Sequence, residues 1–380
     1  MVKANAYGHG AVEVARTLEA AGADGFCVAT ADEALALRVA GIRRPILVLY
    51  PVPAAMAPEL ARGRIAVSAG DLGLLQALAG PVAGQVAGPV SGVSRPRRLG
   101  VHLEVETGLG RGGFREVDLG TAGDVVAAAA GLRLAGLWTH LQAAEDLERT
   151  ATQLERFDAA TATLRRAGHR LPSRHVAASG GLLLGNVAAL DRVRPGLSVY
   201  GLVPDELLGE VPGRAGLRPV MSLHARPVRV VELRAGWGIG YGPSFVTRRP
   251  SRIATLPLGY GDGWPRSLSN HAEALVRGQI VPLVGNVAMD AVMADVTDVA
   301  GPPVTTADEM VLMGRQGDVE ITAADLAASR STNSWEVVTA MAARLPRVYH
   351  APSGALGLRT LVSAPGPTAH RATRRRTDRS

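Results

Sequence analysis

The sequence predicts an α/β protein with two domains and a tail. A parallel (β/α)8 barrel of the TIM type is predicted over residues 1–217, because short β-rich runs alternate there with Ala/Leu-rich helical segments. A mostly antiparallel β domain is predicted over residues 218–362, where strand-like runs are separated by Gly, Pro and Asp turns. Residues 363–380 are rich in Arg, Pro and Ser, which is typical of a disordered basic tail.

The barrel prediction depends on eight candidate strands. They are residues 2–4, 25–29, 46–49, 65–68, 99–105, 132–139, 175–177 and 192–194. Helices are predicted between them from apolar residues at a spacing of three or four, as over residues 11–21. A Rossmann sheet is the alternative, but no Gly-x-Gly-x-x-Gly motif follows the first strand. Residues 81–96, which combine Gly, Pro, Val and Ser without a period, are predicted to form a loop.

The second domain is predicted from shorter runs. Strands are expected within residues 222–231, 253–258, 274–276, 280–284 and 291–296, and one helix at about 334–343. The Gly, Pro and Asp residues between these runs favour tight turns, and therefore antiparallel neighbours.

The composition excludes several classes of protein. The single cysteine, Cys27, excludes a disulfide framework and a cysteine-based metal site, and it fits a reducing compartment. No apolar run reaches the roughly 18 residues that a membrane-spanning helix needs, and no signal peptide is evident, so a cytoplasmic location is expected. The net charge of +7 lies partly in the tail. Because no basic stripe is interleaved with aromatics, nucleic-acid binding is not expected.

Lys3 is the only lysine among 41 lysine and arginine residues. Arginine stays protonated at any workable pH, whereas a lysine amine can lose its proton and attack a carbonyl, so a lone lysine indicates chemistry. It stands in Val-Lys-Ala-Asn-Ala-Tyr-Gly-His-Gly at residues 2–10, predicted to be a strand end that runs into a glycine-flanked turn. Barrels bind ligands at the carboxyl ends of their strands. The alternative is an incidental lysine near a frayed terminus.

Residues 2–10 resemble the pyridoxal-phosphate attachment motif of the alanine racemases. The resemblance continues through at least seven motifs in family order, to about residue 349. It implies that Lys3 carries the cofactor covalently, that Tyr7 contacts its phosphate, and that the protein is a homodimer with shared active sites. It also implies that alanine is the substrate and that D-alanine for bacterial peptidoglycan is the product.

Arg111 lies in the glycine-rich segment Glu-Thr-Gly-Leu-Gly-Arg-Gly-Gly, whose glycines let the backbone approach a ligand. Taken alone, such a turn is common and structural. The resemblance implies that Arg111 contacts the cofactor's phenolic oxygen and the substrate carboxylate. Where the family often has a lysine modified to a carbamate, this chain has Glu104. We hypothesise that Glu104 supplies the equivalent negative charge and holds Arg111.

Ser179, in Ala-Ala-Ser-Gly-Gly, and the pair Gly196-Leu197 offer a hydroxyl and bare backbone N–H groups at the start of short helices. Such groups suit a phosphate dianion, and the resemblance implies that Ser179, Gly196 and Leu197 bind the cofactor phosphate. His140 follows a predicted strand in Trp-Thr-His. By resemblance it orients the arginine at the cofactor ring, and a hydrogen-bonded structural histidine is the alternative.

Arg194 precedes Pro-Gly-Leu and matches the arginine that faces the cofactor's pyridine nitrogen in the family. A guanidinium can only donate a hydrogen bond, so it leaves this nitrogen unprotonated. The cofactor is then a weaker electron sink, which favours simple reprotonation of the substrate over transamination.

Tyr241 lies in Trp-Gly-Ile-Gly-Tyr-Gly, where an aromatic that anchors a turn is the plain interpretation. The resemblance implies instead that Tyr241 is the second catalytic base beside Lys3, contributed across a dimer interface to the other subunit. Because a free tyrosine has a pKa of about 10, the phenol would have to lie near cationic groups such as His140 or Arg194.

Four further residues in the second domain carry the resemblance. Tyr260, in Leu-Gly-Tyr-Gly-Asp-Gly, resembles a tyrosine of the family's access channel, and Met289-Asp290 resembles its substrate-contacting pair. No metal site is expected, because Asp262 and Asp290 lack a clustered second ligand. Trp335 stands where the family places a tyrosine on the phosphate. Its indole N–H can donate one hydrogen bond, but the ring is bulkier than that of tyrosine, so the sequence does not determine the shape of the pocket.

Three alternatives remain open at this point. Family members carry roughly 30 further residues before the lysine motif, about one βα unit, so an inactive truncated relative is one alternative. A non-catalytic pyridoxal-phosphate carrier is the second, although carriers lack the second β domain and Tyr241. A racemase of another small amino acid such as serine is the third.

Overall fold

The computed structural model describes residues 1–83, 97–204, 207, 216–351 and 354–360. Six parallel strands pair in sequence order in the first half. They are Phe26–Val28 (β1), Ile46–Val48 (β2), Ile65–Ala69 (β3), Leu99–Glu104 (β4), Leu132–Trp138 (β5) and Ser173–His175 (β6). Parallel neighbours need crossover connections, which helices supply here. The helices are Ala11–Ala20, Ala31–Val39, Ala57–Arg62, Leu72–Ala83, Leu119–Ala128, Leu147–Arg166 and Ser179–Leu184.

Backbone hydrogen bonds close this sheet into a ring. The N–H of Arg194 donates to the carbonyl oxygen of Ala177 (2.8 Å), and the nitrogen of Met1 donates to that of Pro195 (2.9 Å). The N–H of Val2 then donates to the carbonyl oxygen of Cys27 in β1 (2.9 Å). The barrel fold is confirmed, but residues 2–4 and 192–194 join it through isolated contacts and are not regular strands.

Residues 3–7 depart most from the prediction. Lys3–Tyr7, here called the lysine turn, is a left-handed helical turn in which Ala4, Asn5, Ala6 and Tyr7 have φ between 51° and 56°. This conformation costs roughly 1–2 kcal/mol per residue for side chains other than glycine. Contacts with distant parts of the chain must therefore hold the turn, and a local sequence pattern does not report them.

Two other barrel predictions need correction. β6 begins and ends two residues earlier than residues 175–177, because His175 and the preceding residues pair with β5. The helix Leu72–Ala83 continues through Pro81, so residues 81–83 are not a loop. Pro81 lies in the last turn of this helix, and because proline has no N–H it cannot donate the usual hydrogen bond to the preceding turn. The rest of the predicted loop, residues 84–96, lies outside the described residues, as does the predicted tail at 363–380.

The second half is a β domain in which every strand pairing is antiparallel. Its strands are Leu223–Ala225 (β7), Arg229–Leu233 (β8), Gly238–Ile239 (β9), Phe245–Val246 (β10), Ser251–Leu256 (β11), Glu273–Val276 (β12), Gln279–Val284 (β13), Val292–Asp295 (β14), Met310–Gln316 (β15), Val319–Ile321 (β16), Arg347–Ala351 (β17) and Gly354–Arg359 (β18). The main sheet has the order β16-β15-β12-β13-β14-β11-β8, with β7 on β15. The strands β9, β10 and β15 to β18 lie outside the runs predicted from the sequence.

The described part of the second half has two short α-helices, and the second of them packs on the lysine turn. They are Ala323–Ala328 and Ser334–Thr339, the latter four residues shorter than predicted. Asn333 begins the second helix, because its side chain accepts a hydrogen bond from the N–H of Glu336. A Cβ on Gly8 would lie 2.1 Å from the carbonyl oxygen of Val338 in this helix. The second domain is thus in direct contact with the end of the lysine turn, and buried apolar side chains of both halves form one cluster.

Candidate active site

A cavity of about 510 Å³ lies at the carboxyl ends of the barrel strands, bounded on one side by the helix Ser334–Thr339. Pockets of this size hold small cofactors and substrates. All nine residues predicted to bind a cofactor line this one cavity: Lys3, Tyr7, Arg111, His140, Ser179, Arg194, Gly196, Leu197 and Trp335. They come from separate segments of the chain, and the barrel brings the strand ends that carry them to one face.

Lys3 projects into the cavity from the first residue of the lysine turn. Burial lowers the pKa of its amine, the nearby Arg111 lowers it further, and Glu33 raises it. A lowered pKa increases the fraction of neutral amine at neutral pH, and the neutral amine is the form that attacks a carbonyl or accepts a proton.

Ser179 marks a point at which backbone donors converge. Its Oγ accepts hydrogen bonds from the N–H of Gly196 (2.9 Å) and of Ser198 (3.2 Å). Ser179 is the first residue of the helix Ser179–Leu184, and Gly196 directly precedes the 3₁₀ helix Leu197–Tyr200. An oxygen acceptor therefore already fits between two helix starts, which is the geometry that a phosphate oxygen requires.

Tyr7 packs its hydroxyl against Gly196. A Cβ on Gly196 would lie 2.6 Å from the Tyr7 oxygen, so only glycine leaves this space. Burial raises the pKa of Tyr7 to about 12. The phenol is therefore protonated at neutral pH and can donate a hydrogen bond to an anion beside Gly196.

Arg194 is buried, and its two terminal nitrogens are bound to protein acceptors. NH1 donates to Nδ1 (2.6 Å) and to the carbonyl oxygen (2.8 Å) of His175. NH2 donates to the carbonyl oxygens of Thr139 (2.7 Å) and Val176 (3.1 Å). Among the described residues, these bonds leave the Nε–H as the donor that can serve a ligand. Burial lowers the pKa of Arg194 to about 10, so the group stays charged at neutral pH.

His140 lies beside Arg194, but the distance from its Nδ1 to the arginine NH2 is 3.5 Å. Burial, Arg194 and Arg111 lower the pKa of His140 to about 3. The ring is therefore neutral, and the expectation that His140 supplies positive charge is wrong. The shorter contact to Arg194 belongs to His175, which the sequence analysis did not single out.

Arg111 pairs with Glu104 at 3.1 Å between NH2 and Oε1. Burial raises the pKa of Glu104, whereas its hydrogen bond with Arg111 lowers it. The carboxylate of Glu106 accepts hydrogen bonds from the N–H groups of Gly108 and Gly110, which orders the glycine-rich turn. The geometry agrees with the hypothesis that Glu104 holds Arg111 at the cavity.

Of the five site residues predicted from the second domain, only Trp335 lines the cavity of its own chain, and the other four do not. Tyr241, Tyr260 and Met289 are 78%, 45% and 53% exposed, and Asp290 is exposed as well. The structure therefore brings together the cofactor-binding set and leaves these four residues on the surface. Exposed aromatic and methionine side chains are typical of protein interfaces.

The backbone around Tyr241 is nevertheless well anchored. The side-chain amide of Asn286 donates to the carbonyl oxygens of Tyr241 (2.8 Å) and Gly242 (3.1 Å), and its oxygen accepts a hydrogen bond from Ser244 (3.2 Å). Gly240 and Gly242 have φ of 75° and 50°, a region that favours glycine. The turn thus presents an exposed phenol on a fixed backbone.

Arg344 connects the segments that carry Tyr260 and Met289. It forms two hydrogen bonds with the carboxylate of Asp262 (2.6 and 2.9 Å) and one with Asp290 (2.6 Å). Both aspartates are therefore engaged with a cation. Within the described ranges, no group of three or more His, Cys, Asp and Glu side chains is placed to hold a metal ion.

Sequence reasoning missed several residues that shape the site, of which His175 and Glu33 are the clearest. Glu33 accepts a hydrogen bond from the N–H of Ala4, and Arg347 donates to the carbonyl oxygen of Gly8. The capping pattern Thr-x-x-Glu at residues 30–33 is a recognisable signal for Glu33, although it predicts only a helix start. Nothing local marks His175 or Arg347, because their partners are distant in sequence.

Among the described helices, none is both long enough and apolar enough to cross a membrane.

Together, the closed barrel, the lysine at its mouth and the β domain against it define a two-domain α/β-barrel enzyme with a lysine-centred cavity. The sequence profile of the alanine racemase N-terminal domain matches residues 1–204, and that of the C-terminal domain matches residues 220–349. The chain therefore belongs to the alanine racemase family, and it is an isomerase.

Individual relatives agree with this assignment. The alanine racemase of Symbiobacterium thermophilum is 43% identical over 360 residues, which cover 92% of this chain and 89% of the relative. The crystal structure of alanine racemase from Bacillus anthracis with bound L-Ala-P has a TM-score of 0.86 at 31% identity, covering 94% of this chain and 89% of that one. A histidine racemase from Leuconostoc mesenteroides subsp. sake has a TM-score of 0.78 at 32% identity, covering 90% and 88%.

Proposed function

We propose that this protein interconverts L-alanine and D-alanine with pyridoxal 5'-phosphate as cofactor and with Lys3 and Tyr241 as the two proton carriers. The observation that carries the proposal is the single cavity in which the only lysine of the chain meets eight other residues predicted to hold that cofactor. Relatives that are named alanine racemases support the choice of substrate.

The cavity fits the cofactor at both ends. Ser179, Gly196 and Leu197 supply a hydroxyl and converging N–H groups for its phosphate, and the protonated phenol of Tyr7 adds a donor. Arg194 supplies one N–H for the ring nitrogen, and Lys3 supplies the amine that holds the carbonyl carbon. When bound, pyridoxal phosphate supplies an electron-withdrawing system that stabilises negative charge at the substrate α-carbon.

The remaining steps belong to residues of this chain. Arg111, held by Glu104, binds the substrate carboxylate by charge and hydrogen bonding. Lys3, as a free amine, would accept or donate a proton on one face of the substrate α-carbon. Its lowered pKa suits this exchange at neutral pH. Because Arg194 cannot give up a proton, it favours return of the proton to the α-carbon over transfer elsewhere.

Inversion needs a second proton carrier on the opposite face, and we assign this role to Tyr241 of a second subunit. Its exposure of 78%, together with the Asn286 anchor beneath it, supports a residue that completes its site only in a dimer. Tyr260, Met289 and Asp290 are on the same domain, and we assign them to the approach of the substrate in that shared site. Isologous dimers place one such residue in each of two equivalent sites.

Choice of substrate is the second question, because a structurally similar protein is a histidine racemase. Alanine is favoured by the many alanine racemases among the relatives. Trp335, in place of the expected tyrosine, adds bulk to the cavity lining, which favours a small side chain. Serine is the second candidate, since it adds only one hydroxyl. We further propose a cytoplasmic enzyme whose D-alanine supplies peptidoglycan.

The test is complementation between two inactive variants, Lys3→Ala and Tyr241→Phe, with D-alanine formation measured by chiral chromatography. Each variant alone should be inactive. A mixed dimer should have one intact site, because Lys3 comes from one chain and Tyr241 from the other. Random exchange of equal amounts should therefore restore about a quarter of the wild-type activity. If mixing restores nothing, or if Tyr241→Phe is fully active, the shared two-base site is wrong.

The cofactor assignment has its own test. The purified protein should bind pyridoxal phosphate with a visible absorbance band that borohydride reduction removes, and Lys3→Ala should lack this band. Serine and histidine racemisation, measured in parallel, decide between the candidate substrates. Absence of the band in the wild-type protein would contradict the cofactor assignment.

A further inference from the structure

We propose that Glu33 is a positioning residue for Lys3, because its carboxylate ties the lysine turn to the end of β1 and so holds the amine at the barrel mouth. The inference rests on the proposed function, in which Lys3 is the amine that reacts. It concerns a residue outside the set of nine that line the cavity as predicted cofactor ligands.

The lysine turn has a strained backbone. Four consecutive residues after Lys3 are left-handed, a conformation that is unfavourable for side chains other than glycine, so the turn needs compensating contacts. Some of them are local: the N–H of Ala6 donates to the carbonyl oxygen of Val2, and the N–H of Gly8 to that of Ala4 (both 3.0 Å). The side-chain oxygen of Asn5 accepts a hydrogen bond from the N–H of Ala11 (2.9 Å).

Glu33 contacts the lysine turn directly. Its Oε1 accepts a hydrogen bond from the N–H of Ala4, the residue next to Lys3, at 2.6 Å. Its Oε2 accepts from the N–H of Ala29 (2.8 Å) and of Thr30 (3.2 Å), directly after β1. One carboxylate thus joins three backbone donors that lie on two segments of the chain.

Helix capping does not account for this arrangement. Glu33 forms a capping box with Thr30 at the start of the helix Ala31–Val39. A capping box needs one side-chain oxygen, on the N–H of the first cap residue. The other oxygen reaches Ala4, 29 residues back along the chain, over a shorter distance than the capping bond.

The charge of Glu33 acts on the same amine. Burial and Arg111 both lower the pKa of Lys3, and Glu33 raises it. A negative charge next to the lysine turn therefore limits how far the amine is neutralised. Contact and charge act together, since the carboxylate that accepts from Ala4 is also the one that stabilises the ammonium form.

The second domain forms hydrogen bonds with the segment that follows the lysine turn. Arg347 donates from Nε to the carbonyl oxygen of Gly8 (2.9 Å), and Tyr349 donates to that of His9 (3.1 Å). With this end held from the second domain, Glu33 is the contact from the barrel that holds the end next to Lys3.

The decisive variant is Glu33→Gln. Glutamine keeps the length of the side chain but has only one oxygen, and its NH₂ group would face an N–H donor on one side. It must therefore release either Ala4 or the donors at the end of β1. The matched control is Asp32→Asn, which removes a neighbouring exposed carboxylate from the same helical turn.

The readout exploits the fact that Lys3 is the only lysine of the chain. Labelling with ¹³C-lysine gives one side-chain signal, whose pH titration in the cofactor-free full chain reports the pKa of Lys3. We expect Glu33→Gln to lower that pKa below the wild-type value and to weaken pyridoxal phosphate binding about tenfold, the size of effect that loss of one charge-assisted hydrogen bond produces. Asp32→Asn should change neither.

A third variant separates positioning from stability. Thr30→Ala removes the other half of the capping box and should lower the melting temperature while leaving the Lys3 titration unchanged. The proposal is overturned if folded Glu33→Gln protein titrates with an unchanged or higher Lys3 pKa, or if Asp32→Asn reproduces its effects. Failure of the wild-type chain to bind pyridoxal phosphate would instead reject the proposed function, and the titration of Lys3 would still decide the role of Glu33.

Discussion

Arg194 donates a hydrogen bond from NH1 to Nδ1 of His175 over 2.6 Å, and this bond determines the tautomer of the histidine. Because a guanidinium cannot accept, Nδ1 of His175 must be unprotonated and its proton must be on Nε2. Nε2 lies 2.9 Å from Nδ1 of His102 and therefore donates to it. Burial, with arginines nearby, lowers the pKa of both rings, so the chain of bonds persists through neutral pH.

The first prediction follows from this bond. His175→Phe removes the acceptor for Arg194 and leaves a buried charged donor unsatisfied, at a cost of about 1.5–3 kcal/mol. We expect pyridoxal phosphate affinity and kcat to fall at least about tenfold, while His175→Asn, which keeps an acceptor, recovers part of the loss. His224→Phe in the second domain is the control. Unchanged cofactor affinity in folded His175→Phe protein would contradict the role of the bond.

The second prediction concerns Glu104→Gln. Replacing the charged partner of Arg111 by a neutral one roughly halves the strength of the hydrogen bond, so the KM for alanine should rise about fivefold to tenfold. Thermal stability, in contrast to substrate affinity, should not fall in this variant. Burial raises the pKa of Glu104, which means that ionising this carboxyl costs more free energy in the folded chain than in the unfolded chain. The melting temperature of Glu104→Gln should therefore be equal to or above that of the wild type.

The titration of Glu104 should also make the KM for alanine depend on pH. As the pH falls through the raised pKa of Glu104, the carboxylate gains a proton and loses its charge. The wild-type KM should then rise toward that of Glu104→Gln, whereas the variant should show no such increase. Steady-state kinetics over the acidic range measure this difference. Parallel KM profiles for the two proteins would show that Glu104 does not control Arg111.

The third prediction concerns the contact between Gly196 and Tyr7. A methyl group at residue 196 would lie 2.6 Å from the Tyr7 hydroxyl and must displace it, so Gly196→Ala should weaken cofactor binding about tenfold or more. In the double variant Gly196→Ala/Tyr7→Phe, the loss of cofactor affinity should be smaller than the sum of the losses in the two single variants, because the clashing oxygen is absent. Gly80→Ala, at a helical glycine with open space around it, is the control and should not reduce stability. Strict additivity would contradict the steric explanation.

The fourth prediction concerns the anchor beneath Tyr241. Asn286→Ala removes both hydrogen bonds to the backbone at Tyr241 and Gly242, so the phenol should lose its fixed position. We expect kcat to fall about tenfold with little change in the cofactor band, because misplacement of a reacting group mainly affects the chemical step. Ser244→Ala, which removes only the support of Asn286, should have a smaller effect. An unaltered kcat in Asn286→Ala would show that this anchor is not needed.

Much of this protein could be predicted from residues that are close in sequence. Alternation of β-rich and apolar helical runs predicts the barrel, and six of the eight expected strands form within about two residues of their predicted positions. The motifs around Lys3, Arg111, Ser179 and Arg194 predict one cavity because each lies at or after the carboxyl end of a predicted strand, and parallel strands bring their carboxyl ends to one face. Pattern and spacing suffice where neighbours along the chain decide the conformation.

Tertiary structure decided the rest. The lysine turn is left-handed because Glu33 and Arg347, which are 29 and 339 positions from their partners, satisfy its backbone groups. His175, and not His140, holds Arg194, because folding brings its ring within 2.6 Å. Tyr241 lies on the surface and does not line the cavity of its own chain, because its turn is bound to Asn286 in the second domain. A sequence lists which groups can form bonds, whereas only the folded chain determines which of them meet, since a hydrogen bond depends on distances of a few ångströms.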